Sequence, residues 1–164
     1  MRTGFILQIV LFEPEIPPNT GNVARLSAAF GLPLHLIEPL GFTLEDRYLK
    51  RAGLDYWPHV DLHVWPSFDA YLKHGRAEHR LIMSSSRQGQ PIQHFCFSKL
   101  DALVLGPETR GLPPDILDQA YACLRLVILA TVRSINLSSA AAILAYQAMN
   151  QTGMLDKLSD CQQD

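Results

Sequence analysis

The sequence predicts an α/β fold, a mostly parallel sheet with helices on both faces. Short apolar runs alternate with helix-like stretches about six times along the chain, the rhythm of βα units. The first run, "FILQIVLF", is apolar almost throughout, which is the pattern of a strand buried on both faces. Repeats, linkers and low-complexity tracts are absent, so residues 1–155 are expected to form one domain, with 156–164 a frayed tail.

Each element has its own signals. Residues 5–12 read as the first strand. The loop "EPEIPPNTG" leads into a helix over 22–30, with Asn19 and Thr20 as N-cap candidates, Val23, Leu26 and Phe30 on one face, and Gly31 as its C-cap. "LPLHLIE" (32–38) is a second strand, and "TLEDRYLKRAG" (43–53) a short helix stopped by Gly53. "VDLHVW" (60–65) is a third strand ended by Pro66, followed by a capped helix from Ser67 to Gly75. "RLIMSSS" (80–86) and "DALVLG" (101–106) are strands separated by a loop around "RQGQPIQ". "PPDILDQA" (113–120) opens a helix with proline in its first turn. "LRLVILA" (124–130) is the last strand, and residues 136–153 form a long final helix.

Composition narrows the function classes. Among 164 residues, 48% are hydrophobic and 18% charged, which sets disorder aside and leaves room for an apolar oligomer interface. A net charge of -2 neither demands nor excludes nucleic acid, because a local basic face decides that. The three cysteines, Cys96, Cys123 and Cys161, form no CxxC pair, as in a reduced cytoplasmic protein. "FILQIVLF" lacks a cleavage site and runs into "EPEIPP", so it reads as a strand rather than a signal peptide. Apolar runs stay short of the ~18 residues that span a bilayer, so no membrane association is expected. His59 and His63 stand at i, i+4 in "HVDLH", but in a strand-like context without HExxH, and no metal is expected.

In a parallel sheet, ligands bind beyond the carboxyl ends of strands. Three such loops hold chemistry: 13–22, 106–111 and 130–139. "GPETRG" has the spacing of a phosphate loop, but Leu112 and Pro113 stand where lysine and a hydroxyl residue are needed, so a Walker A loop is excluded. G-x-G-x-x-G is missing after the first strand, which leaves Glu38 without a dinucleotide loop. Read alone, the turn is equally a tight bend, with Gly106 and Gly111 supplying positive φ and Glu108 pairing with Arg110. "PPNTGNVAR" adds amide and hydroxyl groups and Arg25, and "ATVRSINLSSAAA" adds Arg133, Ser134 and Asn136 ahead of a helix opening with Ser138 and Ser139.

Taken together, "EPEIPPNTGNVARL", "LGPETRGLP" and "RSINLSSA" resemble the three ordered motifs of the SPOUT class of S-adenosylmethionine-dependent RNA methyltransferases. "IEPLGF" and "LKRAGLDYW" resemble the small tRNA (cytidine/uridine-34-2'-O)-methyltransferase subgroup, the TrmL type. The resemblance spans roughly residues 6 to 152. It implies a C-terminal deep trefoil knot, against the general rule that chains are unknotted. It also implies a homodimer and methyl transfer to the ribose 2'-hydroxyl of the wobble pyrimidine in the tRNA anticodon loop.

By motif position, the resemblance assigns S-adenosylmethionine to Ser84, Gly106, Glu108, Gly111, Leu126, Ile128 and Ser134. It places Asn19, Arg25, Glu108, Ser134 and Asn136 in the active site. Arg25 is the implied activator of the 2'-hydroxyl. A guanidinium is protonated at any ordinary pH, so stabilising a developing alkoxide or orienting a phosphate stands beside that role. Glu108 is expected to fix an arginine. The family usually has proline at Val127 and asparagine at Ser139. For RNA, the candidates are Arg25, Arg133 and a basic helical face of Arg47, Lys50 and Arg51 at i, i+3 and i+4. Tyr56 and Trp57 just beyond it are candidates for stacking on an unpaired base, or else core aromatics. The alternatives are a non-catalytic RNA-binding domain of the same fold and a flavodoxin-like nucleotide binder.

Overall fold

A computed structural model of the chain describes residues 6–45, 55–75 and 78–160. The elements in chain order are β1 (Gln8–Phe12), α1 (Pro17–Phe30), β2 (Leu34–Ile37), a 3-10 turn (Trp57–His59), β3 (Leu62–Trp65), α2 (Phe68–His74), β4 (Arg80–Ser84), β5 (Gln90–Pro91), a second 3-10 turn (Ile92–His94), β6 (Asp101–Leu105), α3 (Pro114–Leu117), β7 (Ala122–Arg125), α4 (Leu137–Gln151) and α5 (Met154–Asp160). Among the described residues, seven strands make one sheet in the order β3-β2-β1-β6-β4-β7-β5. Every pairing is parallel, as the apolar runs predicted.

Alternation along each strand divides the core between the two faces of the sheet. Ile9 and Leu11 of β1 and Leu103 and Leu105 of β6 face one way, into a cluster with Val23 and Ala24 of α1 and Ala141, Leu144, Ala145 and Ala148 of α4. Val10, Phe12, Ala102 and Val104 face the other way, with Phe68 and Tyr71 of α2 and Ile116 of α3. Each fully buried Leu, Ile or Val contributes roughly 1.5–3 kcal/mol. Alanines let α4 lie close to α1, whose buried positions include Gly21, Ala24 and Ser27. At the amino ends of the strands, Arg80 holds the fully buried Asp101 with two bonds, Nε to Oδ1 at 2.6 Å and an Nη to Oδ2 at 2.9 Å.

Several expectations are corrected. Helix α1 begins at Pro17, whose missing N–H costs nothing in a first turn, so Asn19 and Thr20 are buried inside the helix rather than capping it. Its end is as expected, with Gly31 left-handed at φ 63. The last strand stops at Arg125, and 126–136 is irregular rather than strand to residue 130. The helix expected over 113–120 is a single turn. The tail is helical to Asp160, because Leu155 and Leu158 pack on the core cluster. Most of the expected helix at 43–53, with Arg47, Lys50 and Arg51, lies outside the described residues.

Candidate active site

The chain builds outward from β1 through β2 to β3, then returns to β4 beyond β6, so the sheet has a switch point beside β1. Because the strands are parallel, the loops after β1, β4, β6 and β7 all emerge at one edge. They surround a cleft of about 710 Å³. Its walls include Asn19, Ser84 to Gln88, Leu105 to Leu112, Leu126, Ile128 and Arg133 to Leu137.

Acidic side chains lock the β1 and β6 loops together. The Glu108 carboxylate accepts from the backbone N–H of Glu15 at 2.9 Å and of Ile16 at 3.2 Å, and from Asn19 Nδ2 at 3.2 Å. Ile16, the residue preceding the helix, has no side-chain cap to offer. Glu108 therefore supplies from another loop the negative charge that a helix amino terminus favours. In return, Glu15 accepts from the Thr109 N–H at 3.0 Å and from its hydroxyl at 2.9 Å, and Arg110 pairs with Glu13. The expected Glu108–Arg110 pair is thus replaced, since the Glu15 and Ile16 N–H groups and the Asn19 side chain take the Glu108 carboxylate.

The third loop joins through amides. Asn136 donates from Nδ2 to Asn19 Oδ1 at 2.8 Å. Its own Oδ1 accepts from the Ser138 N–H at 2.9 Å and hydroxyl at 2.6 Å, capping α4. The two glycines of the β6 turn serve different needs. Gly111 is left-handed at φ 71, whereas Gly106 is not among the positive-φ residues. A Cβ on Gly106 would stand 2.5 Å from the Leu112 nitrogen, so it is glycine for space. Gly89, at φ 103, lets the arch after β4 press on β7, where a Cβ would meet the Cys123 carbonyl at 2.4 Å.

The predicted cofactor residues Ser84, Gly106, Glu108, Gly111, Leu126, Ile128 and Ser134 all line this cleft, as do Asn19, Asn136 and Arg133. Arg25 does not. Six residues beyond Asn19 place it about 120° around the helix and about 9 Å along it. There it is exposed, with its guanidinium carbon 5.0 Å from the centre of the Tyr56 ring. The Tyr56 hydroxyl donates to the Gly21 carbonyl at 3.0 Å, so this ring is committed to α1 rather than left open for a base. Glu13, Glu15 and Thr109 escaped the sequence reading, since no local pattern marks a carboxylate whose partner lies 94 residues away. Arg110, expected in this turn only as the partner of Glu108, also lines the cleft, and so does Arg87, which the sequence did not point to.

A model of the SpoU rRNA Methylase family matches residues 6–146. A tRNA (cytidine(34)-2'-O)-methyltransferase of Saccharophagus degradans is 47% identical over 153 residues, covering 90% of this chain and 97% of the relative. A solved structure described as giving insights into the 2-OH methylation of C/U34 on tRNA aligns with TM-score 0.84 and 47% identity, over 90% of this chain and 97% of that one. An RNA methyltransferase structure from Bacillus anthracis, described as putative, aligns with TM-score 0.81 and 42% identity, over 90% and 95% of the two chains.

Proposed function

The chain belongs to the SpoU rRNA Methylase family, and from that premise we propose that it methylates the ribose 2'-hydroxyl of the wobble pyrimidine, nucleotide 34, in the tRNA anticodon loop, with S-adenosylmethionine as donor. The observation that carries this reading is the cleft in which all three sequence motifs meet, closed by the hydrogen bonds from Glu108 through Asn19 to Asn136.

The cleft suits the donor. Its volume falls within the roughly 300–1,000 Å³ of small-molecule sites. Leu105, Leu126, Ile128, Leu137 and Ala140 offer apolar walls to a base, while Ser84, Ser134 and Arg133 offer polar contacts to a ribose and a carboxylate. Bound there, the donor supplies a methyl group already activated on a sulfonium. What remains for the protein is alignment of the acceptor oxygen and help with its proton. Ser134 and Asn136 sit on the loop that positions the acceptor, and Glu108 and Asn19 keep that loop rigid. Arg25 stabilises negative charge developing on the 2'-oxygen, a role that a permanent cation fills without titrating.

Because Arg25 lies outside its own chain's cleft, we assign it to the cleft of a second copy in a homodimer. An apolar groove between Phe30 of α1 and Ile143 and Tyr146 of α4 supports this, as does the exposure of Ile143 (46%) and Tyr146 (56%). A trefoil knot belongs to the same reading. What supports it is the strand order: β7 lies between β4 and β5, so the arch 85–89 must cross β7, and Gly89 packs on the Cys123 carbonyl. Among the described residues no helix is long and apolar enough to cross a membrane, and a tRNA substrate puts the protein in the cytoplasm.

Transfer of tritiated methyl groups to unmodified tRNA, with nuclease mapping of the product, tests the reading. Methylation at the ribose of nucleotide 34 is expected; label elsewhere in the tRNA, or none, overturns it. Mixing Arg25→Ala with Ser134→Ala chains should restore activity through the heterodimer, and failure to do so removes the shared site.

A further inference from the structure

We propose that Tyr56 is a positioning residue for methyl transfer, its ring holding the Arg25 guanidinium in place. The proposal rests on the reading of Arg25 as the group that acts on the ribose hydroxyl. Arg25 is exposed on α1, and an exposed arginine samples many rotamers, so a chemical role needs something to limit them. Tyr56 provides it. The guanidinium stands over the ring, its carbon 5.0 Å from the centroid, where the negative face of the π system attracts a cation.

The other end of Tyr56 grips the same helical turn. Its hydroxyl donates to the Gly21 carbonyl at 3.0 Å, and α-helical geometry aims that carbonyl at the Arg25 N–H four residues on. Tyr56 therefore spans the turn from which Arg25 projects. Partial burial raises the phenol's pKa, opposed by the nearby Arg25 charge, so the hydroxyl keeps its proton at neutral pH. The ring is itself held. Trp57 packs edge-on at 6.4 Å, the His59 N–H returns to the Tyr56 carbonyl at 2.9 Å, and the backbone carbonyl of Asp61, a few residues on, accepts from the Leu34 N–H of β2 at 2.9 Å. A rigid sheet edge thus reaches across to α1 through one aromatic side chain.

The test compares Tyr56→Phe, which keeps the ring, with Tyr56→Met and Tyr56→Leu, which fill the space without it. Steady-state methylation of tRNA is measured alongside S-adenosylhomocysteine affinity and melting temperature. Loss of the ring should lower kcat about tenfold, the scale of a misplaced catalytic group, while KM for tRNA changes little. Tyr56→Phe should keep most of the activity, and cofactor affinity should hold in all three. In an Arg25→Lys background, Tyr56→Met should cost less than about twofold more, since two residues acting as one unit are not additive. The inference is overturned if the ringless variants keep full kcat, if Tyr56→Phe loses as much as they do, or if the losses multiply in the double variant. Full activity in Arg25→Ala instead removes the role of Arg25, and with it the reading on which the inference rests.

Discussion

Asn136 donates a hydrogen bond to Asn19 across 2.8 Å, joining side chains 117 residues apart in the chain. The bond fixes how the Asn19 amide points. With its oxygen turned to Asn136, its nitrogen faces Glu108, a carboxylate that only accepts.

Asn19→Asp is therefore expected to be worse than its size suggests, because it sets a second carboxylate against Glu108. We expect about 2–3 kcal/mol of lost stability at neutral pH, the cost of an unpaired buried polar group. Urea unfolding of the two proteins at neutral pH measures this, and a variant as stable as wild type contradicts it.

Gly106→Ala and Gly111→Ala should separate space from backbone strain. An added methyl at Gly106 meets the Leu112 backbone nitrogen, so the turn must open. A methyl at Gly111 meets nothing within 4 Å and costs only the left-handed conformation, about 1 kcal/mol. Gly106→Ala is expected to weaken S-adenosylmethionine binding by about tenfold or more, with Gly111→Ala much milder, where each 1.4 kcal/mol is a factor of ten. Calorimetric titration of both variants decides the order.

His35, on β2 and only 4% exposed, accepts a hydrogen bond from Trp65 Nε1 at 2.9 Å through Nδ1. Burial, with smaller contributions from His63 and His79, lowers its pKa from 6.5 to about 3. Its folded value lies below its unfolded one, so the unfolded chain takes up the proton first as pH falls. Stability is retained above pH 6.5 and is lost progressively toward pH 3. Between pH 7 and pH 5 this group alone withdraws about 2 kcal/mol. His35→Gln, which accepts from Trp65 and carries no titrating proton, should lose about 2 kcal/mol less than wild type over that interval. Equal losses in urea melts would show that His35 does not drive the acid sensitivity.

The Arg80–Asp101 pair should respond unequally to its two truncations. Asp101 is fully buried and also accepts from the Ser98 N–H at 2.8 Å, whereas Arg80 keeps 27% of its side-chain exposure and lies 4.5 Å from the Tyr121 ring centre. Arg80→Ala strands a carboxylate in the core and should cost about 3–5 kcal/mol. Asp101→Ala leaves an arginine able to reach water and should cost less. Chemical denaturation of the two single variants tests the order, and methylation kinetics of whatever stays folded should be unchanged, since the pair sits at the far end of the sheet.

Sequence alone determined the α/β class, the parallel sheet and the loops that bear chemistry, because apolar runs, glycine caps and prolines act within a few residues of themselves. Of the five active-site residues the three motifs named, Asn19, Glu108, Ser134 and Asn136 line the cleft and Arg25 does not. Local signals were weaker at boundaries: Pro17 starts α1 before the expected cap, and the apolar stretch after Arg125 is loop, since residues walling a cleft and residues filling a strand are apolar alike. Only the tertiary structure decided who partners whom. Glu108 went to the Glu15 and Ile16 N–H groups and the Asn19 side chain rather than to Arg110, Glu15 took Thr109, and Tyr56 closed on Arg25 instead of staying open. Each of these joins segments far apart in the chain, where hydrogen bonds and charge are satisfied by whichever partner the packed sheet edge brings into reach.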